Sequence, residues 1–286
     1  MVTPVQIAAP DARSRTGSCC NGVMCTAVIS YDPTASFPLL LAGVRDEFHD
    51  RKSAPPGHHW PDRPEVVGGL DLLAGGTWLA VDPGVPRAGC VLNGFGRPAP
   101  EDGRLSRGEL PLQFAADGGL GELDTARYDP FHLICATLDE VRLLSWDGEA
   151  FADRELEPGL HMVTNLGLAG SESPSAGPGP DKGAISARIA HFVPRLAAAR
   201  RPSPQSGPTA TAWGDWLPLI DGDGLDPHDR RALVVRQDLG GRIAGTVSTT
   251  LVALGRDTVR YDFTSTPGVP GGWRTVMPGR GRAAGA

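Results

Sequence analysis

The sequence predicts an α+β protein built on antiparallel sheets. Three observations point there. Short runs rich in β-branched residues come in pairs joined by turn chemistry. Only a few segments carry helical spacing. No G-x-G-x-x-G, Walker A, H-E-x-x-H or G-x-S-x-G motif marks a parallel nucleotide-binding sheet or a common hydrolase.

Residues 1–23 are Pro, Ala, Arg, Ser and Gly in no period, and read as a disordered extension or a misassigned start ahead of Met24. Cys25 to Tyr31 is a β-branched strand closed by Asp32-Pro33, and Phe37 to Val44 is apolar enough for a buried strand. Their short connection predicts a hairpin. Thr77–Val81 and Ala88–Leu92 flank Asp82-Pro-Gly-Val-Pro-Arg87, a second hairpin. Ser106-Arg-Gly-Glu109 has the capping-box spacing and leads into a helix over Leu110–Ala116. Phe131–Thr137 and Val141–Trp146 read as paired strands, with Asp147-Gly148 as the turn that follows, and Leu160–Asn165 as a short strand.

A Ser/Pro/Gly stretch follows over 170–183. Ile185, Ile189, Phe192 and Leu196 then repeat at helical spacing, and Pro194 is expected to kink or end that helix. Arg201–Ala210 reads as a flexible loop. Pro227–Asp238 reads as a helix begun by Asp226, and Ile243–Leu254 with Thr258–Phe263 as a final hairpin about Gly255. The organisation expected is one domain over 24–265 and a flexible tail over 266–286.

Composition narrows the function. The 286 residues carry a net charge of −6 with no dense basic run, which argues against a nucleic-acid partner. No apolar stretch reaches the ~18 residues of a membrane span. The beginning of the chain has no apolar signal core, so a cytoplasmic protein is expected. Five Cys, with no C-x-x-C, predict neither a disulfide framework nor a zinc site. Asn is rare: Asn21, Asn93 and Asn165 are the whole set.

Three places hold candidate chemistry. Met24-Cys25 becomes an N-terminal Cys if translation starts at Met24 and that Met is removed. The α-amine, with a pKa near ~7.7–8.0, then serves as base for the adjacent thiol. The same Cys also reads as an ordinary core residue of a strand. Arg45-Asp46-Glu47 closes the apolar run and either orients a thiol or forms a solvated turn. Gly75-Gly76-Thr77-Trp78 permits a close backbone approach or a simple hairpin entry. Asp221–Asp226 lacks the Gly and the final acid of a calcium loop and reads as a helix entry. His58-His59 reads as loop.

In order along the chain, Met24-Cys25, Val44-Arg45-Asp46-Glu47 with Phe48 and Arg51, Gly69-Leu70-Asp71, Gly75-Gly76-Thr77-Trp78, Leu92-Asn93, Ser106-Arg107-Gly108-Glu109-Leu110, Thr164-Asn165 and Gly245–Thr250 form a series. The series resembles the NRDE family, which includes the transport and Golgi organisation 2 homologues. Val44 stands where the family has Asn, Val247 where it has Arg, and 171–183 replaces its Pro-Trp-x-Lys segment.

That family is similar to N-terminal-nucleophile hydrolases, which implies an αββα sandwich of two antiparallel sheets flanked by helices. It implies Cys25 as nucleophile, with Arg45 and Asp46 positioning its thiol and amine. Asn93 and Asn165 would donate to the oxyanion or hold the amine. The activity implied is hydrolysis or acyl transfer on a linear amide or thioester of a small molecule, with no cofactor required. A second reading, also from the family, is a non-catalytic haem or acyl-CoA carrier, with His132, His161 or Cys25 as haem ligands. A third is a scaffold with a dead site.

Overall fold

The computed structural model describes residues 24–171 and 182–278. The extension expected over 1–23, with Cys19, Cys20 and Asn21, and most of the stretch 170–183 lie outside the described residues. In chain order the strands are β1 (Thr26–Tyr31), β2 (Leu39–Phe48), β3 (Ser53–Gly57), β4 (Val67–Asp71), β5 (Leu79–Asp82), β6 (Arg87–Asn93), β7 (Phe131–Ala136) and β8 (Val141–Trp146). Next come β9 (Phe151–Glu155), β10 (Gly159–Thr164), β11 (Gly167–Leu168), β12 (Arg236–Leu239), β13 (Arg242–Leu254), β14 (Val259–Thr264) and β15 (Arg274–Pro278). The helices are α1 (Glu109–Asp117), α2 (Lys182–Ala198), α3 (Thr209–Trp213) and α4 (Trp216–Ile220).

The strands form two sheets whose pairs are antiparallel. One has the order β11-β10-β1-β2-β13-β14-β15, with β12 added on β13; the other runs β3 to β9 in sequence. Alternation along each strand divides the apolar residues between two faces. Ala27, Ile29 and Leu41 meet Leu79, Cys90 and Ile134 between the sheets. Val28, Leu40 and Leu251 face the other way, under Phe192, Leu196, Trp213 and Trp216 of α2, α3 and α4. On the far side, Leu110 and Phe114 of α1 cover Phe131 and Leu133. The α+β class and the αββα order of layers are as expected, with a single helix, α1, as the described outer layer on the second sheet.

The hairpins β1–β2, β5–β6, β7–β8 and β13–β14 all form. Other expectations are corrected. Helix α2 runs through Pro194 to Ala198. The buried Phe192 and Leu196 bracket the proline and anchor the last turn, while Ala190, four residues back, lies on the exposed side. Pro227–Asp238 is not a helix. The carboxylates of Asp226 and Asp229 take the amides of His228 and Arg231, closing local turns that compete with helix, and β12 follows. The capping box does not form. Gly108 is the helical N-cap residue without a side-chain bond, Ser106 Oγ accepts from the Gly108 amide, and Glu109 pairs with Arg63.

Two loops are more ordered than composition suggested. Arg201 donates to Ser30 Oγ and to the Phe37 carbonyl, tying the loop to the first hairpin. Within 266–286, β15 pairs with β14. The fully buried Asp262 of β14 accepts from Arg260, Thr209, Trp213 and Thr275, which joins α3 and β15 to the sheet.

Candidate active site

Cys25 stands one residue before β1. Thr26 is in register with Val44 on one side and Thr164 on the other, so Cys25 lies between Arg45 of β2 and Asn165 after β10. Arg45-Asp46-Glu47 is no solvated turn. Strand β2 continues to Phe48, with Arg45 and Asp46 both buried. The pleat sends their side chains to opposite faces.

Arg45 shares the inter-sheet face with Cys25. Its guanidinium carbon lies 4.3 Å from the Trp78 ring centroid, and Nη2 is 3.7 Å from Glu47 and 3.9 Å from Asp71. The glycine motifs build this platform. A Cβ on Gly69 would strike the Trp78 indole. Gly76 and Gly108 lie backbone to backbone, with the Thr77 amide donating to the Gly108 carbonyl at 2.9 Å. Asp71 accepts from Arg51 Nε at 2.8 Å and from the Leu73 and Ala74 amides.

Asp46 faces the helical layer. One oxygen accepts from Thr246 Oγ1 at 2.6 Å; the other, Oδ2, is 3.8 Å from Arg188 Nη1. Thr246 reaches it because β13 shifts register between Thr246 and Ser248, which makes Val247 the bulge residue. Val44 lies in the helix-side core cluster, on the face opposite Arg45. Arg188, absent from the sequence-based candidates, donates through Nη1 to the Met24 carbonyl at 2.8 Å and to Thr26 Oγ1 at 2.9 Å. Its only signal is a charged residue on the buried face of an amphipathic helix, one turn from Ile185 and Phe192.

Asn93 and Asn165 do meet. Asn165 Nδ2 donates to the Asn93 carbonyl at 2.8 Å, bridging the two sheets. A donor to that carbonyl must be the amide nitrogen, so Oδ1 is the atom turned away from it.

Around this strand end several buried polar atoms have no hydrogen-bond partner among the described residues. Asp46 Oδ2 and Asn165 Oδ1 are acceptors; Arg45 Nη1, Arg188 Nε and Arg188 Nη2 are donors. Their residues are 7% exposed or less. A buried neutral group left unsatisfied costs about 1–3 kcal/mol, and a charged one more.

Electrostatics set the reactivity of the chain with Met24 attached. Burial, then the Asp46 carboxylate, pushes the half-buried Cys25 thiol up to about 12, with Arg45 acting against them. Its Sγ donates to the Asp46 carbonyl at 3.4 Å. Burial raises the Asp46 carboxyl to about 6, opposed by Arg188, Thr246 and a hydrogen bond from the Met24 backbone.

Of the haem-ligand candidates, His132 is buried with both ring nitrogens engaged, by Ser145 Oγ at 2.9 Å and the Asn165 carbonyl at 3.3 Å. His161 Nε2 is bonded to the Glu157 carbonyl at 2.7 Å. No group of three or more His, Cys, Asp or Glu suited to a metal ion occurs among the described residues. No described helix is long and apolar enough to cross a membrane.

A two-sheet sandwich with a cysteine at the mouth of its first strand, ringed by Arg, Asp and Asn, defines the class. The family model for Transport and Golgi organisation 2 matches residues 24–176, and the chain belongs to that family. A comparison with curated proteins gives no match.

Proposed function

We propose that the protein is an N-terminal-nucleophile acyl hydrolase or acyltransferase in which Cys25, carrying a free α-amine, attacks a linear amide or thioester of a small molecule. One observation carries the reading. On both sides of Cys25, buried acceptor and donor atoms are left without a hydrogen bond: Asn165 Oδ1 and Arg45 Nη1, and Asp46 Oδ2, which has only the long ion pair to Arg188. An ammonium at Cys25 offers three N–H groups, matching Asp46 Oδ2 and Asn165 Oδ1. An acyl oxygen on the thiol side offers the acceptor that Arg45 Nη1 lacks.

The chemistry then balances. The amine takes the thiol proton, and the thiolate adds to the carbonyl carbon. The tetrahedral oxyanion is held by the Arg45 guanidinium, which shares the inter-sheet face with the thiol. The C–N or C–S bond of the substrate breaks, and the amine returns the proton to the leaving group. Water hydrolyses the resulting thioester, or an acceptor amine takes the acyl group. Asn165, with one amide N–H held by Asn93, serves as an acceptor for the Cys25 amine rather than as an oxyanion donor.

The non-catalytic reading rests on a different observation: a thiol raised to about 12 is a poor nucleophile while residue 24 is attached. Its haem form has less support, because the ring nitrogens of His132 are already engaged.

The test is covalent trapping with an activated acyl ester, read by peptide mass mapping. Acylation at Cys25 in the wild type, absent in Cys25→Ala with an unchanged melting temperature, is the expected result. Equal labelling of the two proteins refutes the nucleophile.

A further inference from the structure

His132 lies on sheet β3–β9, away from the Cys25 strand, and none of the chemistry above uses it. Its surroundings are specific. Nε2 is 3.3 Å from the Asn165 carbonyl oxygen, which only accepts, so Nε2 carries the hydrogen. Nδ1 of the neutral ring is then the acceptor and takes the Ser145 hydroxyl hydrogen at 2.9 Å. Burial keeps the ring neutral by lowering its pKa to about 4. Gly167, at φ +92°, brings its backbone against the ring; a Cβ there would lie 3.2 Å from Cε1. Asn165 is the residue between β10 and this turn, and its side chain crosses to Asn93. Two bonds thus fix Asn165 from the opposite sheet: His132 holds its main chain and Asn93 its carboxamide. The result is one buried oxygen, Oδ1, left facing an open valence.

We infer that His132 is a positioning residue: through the Asn165 carbonyl it sets the direction of the Asn165 carboxamide that serves Cys25. The Ser145 hydroxyl keeps its Nε2–H tautomer. The catalytic part of this statement rests on the proposed role of Cys25; the positioning of Asn165 does not.

The experiment compares the natively produced protein, in the form that begins at Cys25, with its His132→Phe variant, which keeps bulk but no donor, and its His132→Gln variant, whose amide nitrogen can donate from near the Nε2 position. Two readouts are taken: the rate of Cys25 acylation by the activated ester, and the Asn165 side-chain amide signals in ¹H–¹⁵N NMR spectra. Positioning predicts that His132→Phe slows acylation about 10- to 100-fold, as a displaced catalytic group does, and shifts the Asn165 signals. His132→Gln restores most of both. Unmoved Asn165 signals and wild-type acylation in His132→Phe overturn the inference, as does equal damage in Phe and Gln variants. If the wild type is not acylated at all, the Cys25 reading falls, and the Asn165 signals alone judge the positioning.

Discussion

At the scale of the residue, the site is defined by how neighbours tune one thiol. With residue 24 attached, Cys25 is protonated at neutral pH, because burial and the Asp46 carboxylate both oppose the thiolate. The sign of the pH dependence follows. Alkylation of Cys25 in a chain that retains Met24 is expected to keep rising above pH 9 toward about 12, where an ordinary thiol has levelled off. Asp46→Asn removes the raising charge and shifts that profile to lower pH; stopped-time alkylation across pH 7–11 reads it. A profile unchanged in Asp46→Asn denies the coupling between the two groups. The same pair affects stability. Between pH 9 and about 12 the folded thiol holds a proton that the unfolded one releases, so stability falls as pH rises through that window. Arg188 acts at this scale too, since it binds the carbonyl of the residue that must leave if Cys25 is to carry an amine.

At the scale of the element, each motif has a packing reason. Ser106-Arg-Gly-Glu and Gly-Gly-Thr-Trp are far apart in sequence yet meet at Gly76 and Gly108. A Cβ on Gly76 would lie 2.6 Å from the Gly108 carbonyl carbon, and the contact orders Thr77 and the Trp78 ring under Arg45. Gly76→Ala is expected to destabilise the fold by about 1–3 kcal/mol, the usual cost of overpacking a tight contact. Gly119→Ala, with open space around it, is the neutral control in urea unfolding. Equal midpoints for the two would remove the structural reason for the motif.

This scale also explains what the sequence made legible. Paired β-branched runs such as Val28–Ile29 and Leu39–Leu41 announce themselves by period and turn residues. Strand β9, fully exposed, and β3, with two prolines, carry no such signal. Asp226-Pro-His resembles a helix start, yet Asp side chains closed turns instead. Asn93 and Asn165 stood out because Asn is rare here, and they do touch. Arg188 is a lone charge among helical residues, and only the fold carries it to Met24. Charged residues at 45 and 46 read either as a solvated turn or as groups orienting a thiol, and the pairing of β2 with β1 and β13 buries them.

At the scale of the whole molecule, the sandwich brings two sheets together at one end of the Cys25 strand. The first sheet supplies Arg45, Asp46, Asn165 and Thr246; the second supplies Asn93, Trp78 and His132; helix α2 supplies Arg188. The layers are joined across that end by Asn165–Asn93, and around Asp262 by contacts from α3 and β15. On the proposed reading the donor and acceptor atoms left without hydrogen bonds serve a free amine and an acyl oxygen, while the peptide bond between Met24 and Cys25 occupies the Cys25 nitrogen. The central claim is therefore about where the active chain begins. Intact-mass measurement of the natively produced protein, before and after acylation by the activated ester, tests it most directly. The account predicts that the acylated species begins at Cys25 and gains one acyl group there. An acylated species that still carries Met24 would contradict it.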